Sequence, residues 1–157
     1  MPMRVVAVVP DPGRLRVEAR TESGQPIDMD GDPPGGDDSA AGPREVVLAA
    51  LAGCTAMDVA SILLKKRQRV RTYEIGVEAE TSSSQPRVFT AITVEHRVSG
   101  GPVEAEALRR SIELSATRYC PVSAMLSRAV TIEHRYRLDG GESVLVGVTG
   151  PAGNRIA

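Results

Sequence analysis

The feature that most constrains this chain is the apolar run at residues 46–64, interrupted only by Thr55, Asp58 and Ser61. A membrane span needs roughly 20 mostly apolar residues with few or no charges, and Asp58 sits inside the run. The run reads instead as a buried core helix over about 44–67. Pro43 suits a first helical turn, and Glu45 suits the positive N-terminal end. Lys65, Lys66 and Arg67 complement the negative C-terminal end. Between Val46 and Met57 only Thr55 is polar, so the helix is apolar all round and must be covered on every side. A chain of 157 residues with three Tyr, one Phe and no Trp has little bulk for that task. An extensive homodimer interface is therefore expected.

The flanking sequence predicts strands and two further helices. Residues 3–9 and 15–21 are strand-like and flank the turn Pro10-Asp11-Pro12-Gly13. Residues 28–43 read as a solvated acidic loop. Its start resembles a calcium loop, but the sixth position is Pro33 instead of Gly and the twelfth is Ser39 instead of Glu. Alternation at 70–81 and 87–99 predicts an antiparallel strand pair. A second helix runs from Pro102 to about 118, with Leu108, Ile112, Ser115 and Tyr119 on one face. A short third helix follows Pro121, and a strand covers 130–138. The glycine-rich tail at 141–157 reads as loose, with at most a short strand at 143–148. This is a single α+β domain over 1–140 with a tail.

Nineteen basic against 20 acidic residues give a net charge of -1, which excludes the basic surplus of a nucleic-acid-binding domain. The N-terminus lacks a signal-peptide pattern, so a soluble cytoplasmic protein is expected. There is no CxxC, and His96 and His134 fall in alternating strand-like sequence. No usual zinc-ligand spacing is present, so neither a metal nor a cofactor is expected. Two thiols in the cytosol point to packing or redox chemistry. Cys54 has small neighbours, Ala50, Ala52, Gly53 and Ala56, which leave room at its sulfur. Cys120 precedes Pro121 at the expected N-cap of the third helix, a position that lowers thiol pKa.

The segment Pro43-Arg44-Glu45-Val46-Val47-Leu48-Ala49-Ala50-Leu51-Ala52-Gly53-Cys54-Thr55-Ala56-Met57-Asp58-Val59 resembles the first cysteine motif of the OsmC/Ohr family. That family comprises osmotically inducible protein C and the organic hydroperoxide resistance proteins. Tyr119-Cys120-Pro121-Val122 resembles its second motif. The resemblance implies an OsmC-like α+β fold, with antiparallel sheets around a long central helix in an intertwined homodimer. It implies that Cys54 attacks an organic hydroperoxide and that Cys120 captures the sulfenic acid as a disulfide. An external thiol reductant, a lipoylated protein by similarity, would reset the pair.

The resemblance also assigns an Arg and a Glu to hold the thiolate. The family's Glu directly follows the Pro, where this chain has Arg44; its acid is Glu45. Nine residues separate Glu45 from Cys54, about 900° of rotation and roughly 13.5 Å of rise on a straight helix. Arg14 is the favoured arginine, with Arg16, Arg20 and Arg44 as further candidates. Asp58, at i+4 from Cys54, shares its face, and an ionised carboxylate there disfavours a thiolate. The alternative expectation is a binding or redox-sensing protein of the same fold, with a small apolar ligand at the dimer interface beside Leu51 and Met57.

Overall fold

The computed structural model describes residues 2–157. Its contacts cluster into two units, one ending at Val47 and the other spanning Leu48–Ala157. The sequence alone predicts one domain over 1–140.

The first unit is an antiparallel meander in the order β1 (Val5–Val8), β2 (Val17–Thr21), β3 (Pro26–Met29). β3 begins before the expected acidic loop and takes its first two residues. The loop is not simply solvated. Asp30 is buried and accepts from the backbone N–H of Gly31 at 2.8 Å and of Ser39 at 3.0 Å, and from the Ser39 hydroxyl at 2.6 Å. The Ser39 hydroxyl first, and then these amides, hold its carboxyl down at about 2. Gly36 closes the loop, because a Cβ there would meet the Gly31 carbonyl oxygen at 1.8 Å.

Helix α1 (Pro43–Lys65) comes next. Glu45 folds back to accept the Gly42 N–H at 2.8 Å, as the third helical residue does in a capping box. By length and composition α1 could cross a membrane. In the second unit, however, it lays Leu51, Thr55, Val59 and Leu63 into the core at a spacing of four. The expectation of burial on every side is met on this stripe alone: Met57 is 76% and Leu64 77% exposed.

The second unit is a five-stranded sheet in the order β4 (Thr72–Thr81), β5 (Phe89–Ser99), β6 (Thr131–Leu138), β7 (Val144–Thr149), β8 (Arg155–Ile156). Neighbours are antiparallel except β5 and β6, which are parallel. That parallel step needs a crossover. It is made by α2 (Ala105–Leu114), a π-helical turn (Ser115–Tyr119) and α3 (Pro121–Leu126). The sheet's inner face is Ile92, Val94, His96 and Val98 on β5, with Ile132, His134 and Tyr136 on β6. Its other face carries ion pairs such as Arg97 with Glu74 and Arg137 with Glu95. The tail is not loose. β7 pairs with β6 and buries Val146 completely, because β6 otherwise leaves an unpaired edge over an apolar core.

Two histidines inside this core are held neutral. The Tyr73 hydroxyl lies 2.6 Å from His96 Nδ1, and His134 Nε2 lies 3.0 Å from Thr149 Oγ1. Burial, and then the neighbouring His134, push His96 down to about 3; burial pushes His134 down to about 4. Between those values and the ordinary value of 6.5, the unfolded chain binds more protons than the folded one. Their contribution is therefore complete above about pH 6.5 and is lost as pH falls. The urea midpoint should drop between about pH 6.5 and 5, before carboxylates titrate. His134→Gln should flatten that drop. A wild-type midpoint constant across the window would contradict this account.

Candidate functional site

The two cysteines meet through the crossover. Cys54 lies on α1, one residue before the buried Thr55, so its side chain is half-buried at the edge of the core stripe. Cys120 is set by the π-helical turn. Its N–H bonds to the Ser115 carbonyl five residues back, at 2.9 Å. One extra residue in a helical turn rotates the residues beyond it about the helix axis. Tyr119, expected on the buried face, is thereby half exposed, while Cys120 is buried among Leu51, Ile92, Val94, Val130 and Ile132.

Cys54 Sγ, Cys120 Sγ and an oxygen of Asp58 all lie within 4.8 Å of one another. Asp58 joins because it is one helical turn beyond Cys54. Ser115 Oγ lies 3.0 Å from Asp58 Oδ2 and 3.0 Å from Thr55 Oγ1, so the π-helical turn also braces the carboxylate. The Asp58 charge reaches as far as Tyr73, whose hydroxyl is pushed up by burial and then by this carboxylate.

Cys120 caps α3 as the sequence predicts, accepting the Ser123 N–H at 3.3 Å. Its acidity differs from the expectation. Burial first, and then the adjacent Cys54, push the thiol up to about 12, against the lowering effect of the Ser123 amide. The backbone N–H groups of Ser123 and Val122 do not offset removal from water. Cys120 is thus a thiol at neutral pH, beside a more exposed Cys54.

Arg14 and Glu45 each have partners inside the first unit. Arg14 pairs with Asp37 and Glu45 caps its own helix. Arg16 bonds Asp28 at 3.1 Å and Ser39 at 2.8 Å, and Arg20 lies 3.7 Å from Asp28. Leu51 is fully buried, and Met57 faces outward on the same helix. Ser115 is a site residue that the sequence marks only as part of a buried helix face. Its signal is polarity on that face.

The model of the OsmC-like protein family matches residues 36–135, a span that holds both cysteines. Protein YhfA of Escherichia coli is 42% identical over 116 residues, covering 74% of this chain and 84% of that protein. A hypothetical protein from Aquifex aeolicus has a similar structure, with a TM-score of 0.77 at 24% identity over 90% of this chain and 99% of its own. The organic hydroperoxide resistance protein OsmC from Legionella pneumophila superposes with a TM-score of 0.64 at 15% identity, over 88% of this chain and 97% of its own. A matched family model across both cysteine segments, together with a relative of this identity, makes this chain a member of the OsmC family.

Proposed function

We propose that this chain is a thiol-dependent peroxidase that reduces organic hydroperoxides through Cys54 and Cys120. The observation that carries the reading is the proximity of the two sulfurs, one half-buried and one buried, within 4.8 Å. Family membership and the hydroperoxide resistance proteins of the same fold add support. The difference in burial supports Cys54 as the attacking sulfur. The Cys54 thiolate attacks the distal oxygen of ROOH, the O–O bond breaks, and the alkoxide leaves as ROH after taking a proton. The oxygen remains on Cys54 as a sulfenic acid. The Cys120 sulfur then displaces it, and the Cys120 thiol proton leaves with the hydroxyl as water. A disulfide of about 2.05 Å forms, which asks the sulfurs to approach by less than about 3 Å. A dithiol, of the kind carried by lipoylated proteins, returns both thiols through a mixed disulfide.

Arg14 and Glu45 are the resemblance's assistants to Cys54. Their local bonds give each a structural role already, so the reading rests on the cysteines. Asp58 lies one helical turn beyond Cys54, with an oxygen within 4.8 Å of both sulfurs.

The functional unit is a homodimer. Met57 and Leu64 on α1, and Val5, Val6 and Val8 on β1, stand more than half exposed. Such apolar surface is normally covered by a partner. Sedimentation should give a dimer at micromolar concentration; a monomer at every concentration would remove this part.

Turnover of cumene hydroperoxide with a lipoyl dithiol tests the chemistry. Cys54→Ser should fall to the uncatalysed rate. Cys120→Ser should still consume one equivalent of peroxide and then accumulate sulfenic acid at Cys54. Undiminished turnover in Cys54→Ser would end the proposal.

A further inference from the structure

The peroxidase reading gives Asp58 no role, although Ser115 holds its carboxylate beside both sulfurs. We infer that Cys54, Asp58 and Cys120 form a binding site for a thiophilic divalent cation of the zinc class, separate in chemistry from peroxide reduction. Three donor atoms lie within 4.8 Å of one another. A tetrahedral zinc site with bonds of about 2.3 Å to sulfur and 2.0–2.2 Å to oxygen has edges of roughly 3.5–3.8 Å. Side-chain motion of about 1 Å closes the triangle to that size. Two residues on one helix at i and i+4, joined by a third from a distant element, is a common way to face three donors together.

The surroundings suit ligation. Metal-bound carboxylates are themselves held by outer hydrogen bonds, and Ser115 Oγ supplies one to Asp58 Oδ2 at 3.0 Å. The Ser123 N–H points at Cys120 Sγ at 3.3 Å, the kind of bond that stabilises a metal-bound thiolate. The donor set selects the ion. Two thiolates favour a soft or borderline cation over magnesium or calcium, and two are too few for an iron–sulfur cluster. Binding converts two thiols, one carboxylate and Zn²⁺ into a complex of net charge −1 and releases two protons. The cation thereby offsets most of the charge of the two thiolates and the carboxylate in the complex. Cys54 and Asp58 are only half-buried, which leaves a fourth position for water. With the metal bound, neither sulfur is free to react.

The test uses the reduced full-length protein without peroxide, so it succeeds or fails independently of the peroxidase reading. Titration with Co²⁺ should give a thiolate-to-cobalt charge-transfer band and the intense visible bands of a tetrahedral centre, saturating at one metal per chain. Zn²⁺ should displace the cobalt and slow alkylation of both cysteines by iodoacetamide. Asp58→Asn, which keeps both thiols, should weaken zinc binding at least ~10-fold. Asp58→Glu, which keeps a carboxylate, should retain the cobalt spectrum and so separates ligation from folding. Zinc affinity unchanged in Asp58→Asn, or the absence of a charge-transfer band in the wild type, would overturn the inference.

Discussion

Everything in the larger unit depends on how one stripe of α1 meets the core. Leu51 enters a cluster with Ile92, Val94, Cys120, Val130 and Ile132, while Val59 and Leu63 enter another with Val98, Leu108, Ile112, Tyr136 and Val146. Burying a side chain of this size stabilises by roughly 1.5–3 kcal/mol. The helix is therefore fixed in rotation at both ends of the stripe. That rotation places Cys54 and Asp58 on the flank of the stripe, half in water and half in the protein. A rotation of one residue, about 100°, would carry both away from Cys120.

The second constraint is polar. The crossover between the parallel strands must deliver Cys120 to the end of a helix that would otherwise continue, and the π-helical turn does this by inserting one residue. The same turn presents Ser115 to Asp58 and Thr55. The carboxylate's position and the buried sulfur's position are thus set by five consecutive residues. On the inner face of the sheet, His96 and His134 sit buried and neutral. Burial governs the chemistry of all these groups, raising the thiol and lowering the imidazoles for one reason: each is kept from its charged form.

Much of this is legible in the sequence because it is local. The apolar run, Pro43 with Glu45, the alternation on β4 and β5 and the cap at Cys120 are each decided by near neighbours. So is the Cys54–Asp58 pair, which is a consequence of helix pitch. The features that the sequence hides depend on distant partners. Nothing near Cys120 signals that Ile92 and Ile132 will bury it and reverse its expected acidity. The tail reads as loose because its glycines hide a strand whose worth comes from pairing with β6. Asp30 reads as solvated because the amides it accepts from include one nine residues away. Tyr119 fits the helical period and is moved off it by the π-helical turn.

The central claim is that Cys54 and Cys120 act as one redox couple. Reduced protein mixed with one equivalent of cumene hydroperoxide in rapid-quench intact-mass analysis tests it directly. The account predicts loss of both thiols, a mass lower by two hydrogens, and a single cross-linked peptide pair joining Cys54 to Cys120. Persistence of both thiols after the peroxide has been added, with the mass unchanged, would contradict it.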